Sequence, residues 1–219
     1  MNNFKFLKYN FSILKKETEQ DLLLKYSEQT RFGYNVFTEN IEHYINEELL
    51  NLLLDNNLKP KLIVLFKGKA KSRSKEKALL HSDIYYDFIN KKYKFHYCGL
   101  NQELYNTKAI FHWWEPIDAK PVYPSKVNLM YKELTFLDGL HYEARSKYFN
   151  NPEEKFKLLE STNYDNRKII LARTDIPHSV IYESNTNLEK NPRASVSLRF
   201  DTSLFNSWND VINRFERLL

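Results

Sequence analysis

Glycine is scarce in this chain, with four in 219 residues. Neither a phosphate-cradling P-loop nor a dinucleotide-binding glycine fingerprint can be drawn through them. That sets aside nucleoside triphosphate enzymes and dinucleotide dehydrogenases. The GxSxG elbow of common serine hydrolases is also missing. There is one cysteine, Cys98, so neither an internal disulfide nor a cysteine-based zinc site can form within one chain. No apolar run has the length of a membrane span, and Met1 to Leu14 lacks the apolar core and cleavage site of a signal peptide. The expectation is a soluble, cytoplasmic protein with no membrane partner.

What is present describes one globular domain. The chain is 42% hydrophobic and carries 15 Tyr and 15 Phe, a composition suited to a β-rich interior. The net charge of +5 is compatible with an anionic partner without demanding one. Much of the excess lies in "KGKAKSRSKEK", Lys67 to Lys77. A solvated surface loop is its simple reading. A basic lid is the functional one, because the run ends just before His81.

Helical patterning dominates the first third. Lys16 to Tyr26 carries leucines among charges, and Thr38 is positioned to cap a helix through Leu54 with Ile41, Ile45, Leu49 and Leu53 on its stripe. From Lys61 the pattern turns to strands: "KLIVLF", "LLHSDIYYDFI", "YKFHYCGL", "KAIFHWWEP", one or two across residues 121–139, "RKIILART" and "RASVSLRF". "NPEEKFKLLEST" reads as a short helix or inserted loop. Trp208 to Leu219 reads as an amphipathic closing helix. The expected organisation is a helical layer over 1–60, a β core over 61–200 and a C-terminal helix over 201–219. The class is mainly β with flanking helices, a sandwich or barrel whose open end suits a metal pocket.

Within that frame "HSD" stands out. Residues two apart on a strand point to one side, so the His81 imidazole and Asp83 carboxylate converge. A second histidine would complete the two-histidine, one-carboxylate cradle used for Fe(II). His178 follows Pro177 at a strand end and fits best. His43 falls in a predicted helix, and His96 and His112 sit in aromatic strands as core or pocket wall. His141 with Glu143 forms a rival "HYE", but it stands too close to His178 in sequence for the strands a barrel needs between them. In "RASVSLRF", Arg193, Ser195, Ser197 and Arg199 share one face, opposite Ala194, Val196, Leu198 and Phe200. An arginine fork with a nearby hydroxyl can clamp a carboxylate. The simpler reading is an exposed polar face, or Arg199 paired with an internal acid. Trp113 and Trp114 offer a substrate wall, against the plainer role of core tryptophans.

The order HxD, long gap, histidine after a strand, then Arg-x-Ser resembles the Fe(II)- and 2-oxoglutarate-dependent oxygenases. The resemblance covers roughly Leu62 to Phe200. It implies a double-stranded β-helix (a jelly roll, cupin-like) with His81, Asp83 and His178 as metal ligands. It implies Arg193 with Ser195 on the far carboxylate of 2-oxoglutarate, and no catalytic residue beyond the metal ligands. "RTDIPHSV" is similar to the turn that presents the second histidine in bacterial and phage members. The loop from Ser179 to Pro192 is longer than the commonest spacing, which keeps Arg199 as an alternative carboxylate binder. The implied activity is hydroxylation of an amino acid, peptide side chain or small metabolite, with release of succinate and CO2. The Arg193–Arg199 spacing also resembles the AlkB-type nucleic acid demethylases, the runner-up, which would bring a nucleic-acid partner. A jelly-roll module that binds a metal or ligand without oxidising anything is the third reading.

Overall fold

The strand Arg193–Phe200 divides the molecule by its own alternation. Ala194, Val196, Leu198 and Phe200 enter a large apolar core, whereas Ser195, Ser197 and Arg199 are buried on the opposite side. The computed structural model describes residues 2–25, 33–68, 77–87, 92–104, 109–117, 139–140, 148–150, 152–163, 167–182 and 193–219. In chain order the strands are β1 (Phe4–Phe6), β2 (Gly33–Phe37), β3 (Pro60–Gly68), β4 (Lys77–Leu79), β5 (Ser82–Asp87), β6 (Lys92–Phe95) and β7 (Cys98–Glu103). They continue as β8 (Ala109–Pro116), β9 (Gly139–Leu140), β10 (Tyr148–Asn150), β11 (Phe156–Asn163), β12 (Ile170–Arg173), β13 (His178–Tyr182) and β14 (Arg193–Phe200). The helices are α1 (Lys16–Lys25), α2 (Glu47–Asp55) and α3 (Trp208–Phe215).

Six strands form one antiparallel sheet in the order β1-β12-β7-β14-β3-β2. A second sheet runs β11-β8-β13, and an isolated bridge between His81 and His178 extends it. Smaller sheets join β10 to β4 and order β6-β5-β9. The result is a mainly antiparallel β sandwich. Between its layers, Phe111 and Trp113 of β8 pack on Ile170 and Ala172 of β12, with Phe4 and Phe6 against them. Trp113 stacks on Phe4 at 5.3 Å and on Phe111 at 4.5 Å between ring centroids. The outer face of the six-stranded sheet is covered by helices. Leu49 and Leu53 of α2 and Trp208, Val211 and Phe215 of α3 share a core with Ile63, Leu65, Leu100 and the apolar side of β14.

Three local expectations change. The helix predicted from Thr38 begins only at Glu47, where the Asn46 side chain accepts a hydrogen bond from Leu49 N at 3.1 Å. Asn40 upstream adopts a left-handed backbone with φ of 49°, which breaks the helix and leaves a 3₁₀ turn at Ile41–His43. "FKLLESTN" is strand rather than helix or loop: the 3₁₀ turn Pro152–Glu154 consumes the helical signal, and the rest alternates along the edge of β8. The first sixty residues also supply β1 and β2, the two edges of the large sheet. Lys69 to Glu76 of the basic run, residues 118–138 and the rival pair His141 and Glu143, with Arg145, lie outside the described residues. Among the described residues no helix is long and apolar enough to cross a membrane.

Candidate metal centre

His81 and His178 are brought together by the backbone before their side chains interact. His81 N donates to His178 O at 3.0 Å, and His178 N donates to His81 O at 2.8 Å. Such a reciprocal pair in an antiparallel bridge aims both side chains to one side. The rings lie 4.2 Å apart between centroids. Two residues on, Asp83 turns its carboxylate to the same point, with Oδ1 3.8 Å from His81 Nε2 and 3.9 Å from His178 Nε2. The ligand atoms of these three residues all lie within 4.8 Å of one another. Neighbouring ligands of an octahedral ion with bonds of about 2.1 Å stand about 3 Å apart, so the two carboxylate–imidazole distances would close by about 1 Å, and no pair by more than about 2 Å, to seat one.

The ring chemistry suits coordination. His178 Nδ1 is 3.0 Å from the Ile176 carbonyl, which can only accept, so Nδ1 carries the proton and Nε2 keeps a free lone pair toward Asp83. Burial lowers the His178 pKa, against the upward pull of Asp83 and of that hydrogen bond, and so favours the neutral ligand form. Phe111 stacks on the His178 ring at 5.3 Å and 22°, walling off that side. His81 is only half-buried and gives the solvent-facing side.

Arg199 supplies the countercharge. Its Nη1 lies 2.5 Å from Asp83 Oδ2 and donates to Thr174 Oγ1 at 3.1 Å. Burial, the largest influence on Asp83, would raise its pKa. Arg199, then His178, His81 and His96, outweigh that and hold the carboxyl well below the usual carboxylate range. Gly99 lies opposite Arg199 in the β14–β7 pairing. A Cβ on Gly99 would stand 2.9 Å from the guanidinium carbon, so any larger residue there would displace the guanidinium from this position.

The sequence-predicted residues therefore separate. His81, Asp83, His178 and Arg199 meet at one point, and Arg199 takes the internal-acid partnership foreseen as its simpler role. Ser195 and Ser197 lie further along the same buried face of β14, and neither hydroxyl has a hydrogen-bond partner among the described residues. Arg193 opens that strand, and its side chain lies outside the described atoms. Trp113 and Trp114 are fully buried, with Nε1 donating to Arg173 O at 2.8 Å and to Ser179 Oγ at 2.9 Å. Arg173, at the end of β12, forks onto Asp175 at 2.8 and 3.1 Å.

Sequence reasoning missed Gly99, Thr174 and Phe111. A lone glycine inside a strand was a usable signal for the first. Nothing in one sequence distinguishes Thr174. No known family matches the chain, and no curated protein sequence matches it significantly.

Proposed function

We propose that the protein is a non-haem Fe(II)- and 2-oxoglutarate-dependent dioxygenase of jelly-roll type. Its substrate would be an amino acid, a peptide side chain or a small metabolite, released hydroxylated together with succinate and CO2. One observation carries this reading: two imidazoles and one carboxylate converge beside a buried strand face of arginine and unpartnered hydroxyls. The donor set fits Fe(II), being two neutral nitrogens and one anionic oxygen on one side with the remaining positions open. The neighbouring face fits a dicarboxylate. A buried hydroxyl without a partner costs about 1–3 kcal/mol, so Ser195 and Ser197 favour a polar occupant.

Fe(II) bound there would supply the oxidising chemistry, with dioxygen as the four-electron oxidant, two electrons coming from 2-oxoglutarate and two from the substrate C–H bond. The chain's own residues do the rest. His81, His178 and Asp83 hold the ion, with His178 oriented by Ile176 and Asp83 kept ionised by Arg199. Phe111 and Trp113 exclude water behind His178. Arg199 grips a ligand of the metal itself, whereas the far carboxylate of 2-oxoglutarate lies two methylenes beyond its chelating end. That leaves Arg193, with Ser195, for the far carboxylate.

The test is 2-oxoglutarate turnover with added Fe(II), read as succinate. Wild type is expected to form succinate, and Arg193→Ala to raise the 2-oxoglutarate KM at least about tenfold with Fe(II) affinity unchanged. An Arg193→Ala enzyme with wild-type KM would return the clamp to another residue. Absence of Fe(II)-dependent succinate with any amino acid, peptide or nucleic acid offered would leave a metal-binding module.

Arg199 on Asp83 keeps one second reading in view. With one arginine at the metal and another at the start of β14, the strand retains the two-arginine pattern of the AlkB-type demethylases. Salt-dependent binding of single-stranded oligonucleotides would favour that substrate class. Salt-independent turnover of small molecules would exclude it.

A further inference from the structure

Thr174 is fully buried and belongs to neither the metal-ligand set nor the strand face assigned to the cosubstrate. It nevertheless reaches Asp83 by three routes. Its carbonyl accepts from Asp83 N at 2.7 Å. Its hydroxyl donates to the His96 carbonyl at 2.6 Å, and His96 N in turn donates to Asp83 O at 2.9 Å. The same hydroxyl accepts from Arg199 Nη1 at 3.1 Å, and that nitrogen contacts Asp83 Oδ2 at 2.5 Å.

We propose that Thr174 is the positioning residue that makes Asp83 a one-oxygen ligand. A carboxylate free to rotate can offer a metal either oxygen, or both. Here Oδ2 is held by Arg199, and only Oδ1 faces the two histidine Nε2 atoms. Arg199 can do this only if its own guanidinium is fixed. Gly99 admits it from one side and the Thr174 hydroxyl ties Nη1 on another. The hydroxyl has one proton, already given to the His96 carbonyl, so it must act toward Arg199 as an acceptor. One residue thus couples the turn leading into His178 to the start of β5 through its carbonyl and to His96 and the end of β14 through its hydroxyl. An outer group of this kind shifts metal affinity about 10–100-fold when removed.

This inference rests on the metal-site reading, and the experiment separates the two. Co(II) alone is titrated into wild type, Thr174→Val and Thr174→Ser, with the visible d–d absorption recorded. Valine keeps the volume and removes the hydroxyl, and serine restores it. Thr174→Val is expected to bind Co(II) about 10–100-fold more weakly, with a changed band shape as Asp83 rotates, and Thr174→Ser to stay within about threefold of wild type. If the valine protein does not fold, Thr174→Ala reads the same loss without the added methyl. Wild-type affinity and spectrum in Thr174→Val would overturn the inference while leaving the metal centre intact. A serine variant as impaired as the valine one would also overturn it, because packing rather than the hydroxyl would then be responsible. A wild-type protein that takes up no Co(II) would remove the centre and the inference together.

Discussion

Arg199 is a buried cation held beside a buried anion, so its removal leaves a charge stranded. Arg199→Met is expected to destabilise the metal-free protein by about 3–5 kcal/mol, read as a lower urea midpoint at neutral pH. A shift too small to resolve would mean that Asp83 is solvated by other means. Gly99→Ala tests the same side chain from below. Its Cβ would stand 2.9 Å from Arg199 Nη1, and metal affinity should fall while far-UV circular dichroism is unchanged. Cys98, next along β7, is different: burial pushes its thiol well above the ordinary range. It should resist thiol reagents in the native protein and react fully in denaturant. At this scale the sequence was legible wherever period two applied. His81 and Asp83, and Ser195, Ser197 and Arg199, each share a face because strand side chains alternate. Thr174 was not legible, since its role depends on a turn folding against β7 and β14.

At the scale of elements, α3 anchors the outer core. Phe215 is fully buried and contacts Phe200 and Phe205 edge-on or tilted, at 5.5 and 6.2 Å between centroids. Phe215→Ala is expected to cost about 3–5 kcal/mol in denaturant unfolding. Metal affinity should change by less than about twofold, because Phe200 leaves the sheet on the face away from the metal. A large loss of affinity would show that the outer core and the centre are coupled. The closing helix was readable because Trp208, Val211 and Phe215 repeat at helical spacing. The edge strands β1, β2 and β11 were not. Short edges bury one side at most, as the alternating exposure of Phe156 to Asn163 shows, and so carry little apolar signal. The helix expected from Thr38 failed on a single left-handed asparagine, Asn40.

For the molecule as a whole, the centre ties stability to pH. His178 and Asp83 both have lowered pKa values in the folded protein, from ordinary values of 6.5 and 3.8. The unfolded chain therefore takes up protons first as pH falls. The stability each contributes is present above its ordinary pKa and is lost as pH drops toward its folded value. The metal-free protein should hold its urea midpoint down to about pH 6.5, lose stability below that, and lose more below about pH 4. His178→Gln should remove the first decline. If the decline persists unchanged, another group is its source.

The β-rich sandwich and the shared face of His81 and Asp83 were legible from strand alternation and His178 from its place after Pro177 at a strand end, while the pairing of Arg199 with Asp83 required three dimensions. The most direct measurement is an anaerobic titration of the metal-free protein with Fe(II) and then 2-oxoglutarate, watching for the weak visible charge-transfer band of the chelate. The account predicts a band in wild type that is lost in His81→Ala and His178→Ala and needs more 2-oxoglutarate in Arg193→Ala. Iron that binds without any band would contradict the oxygenase assignment, and tight iron in the histidine variants would contradict the centre itself.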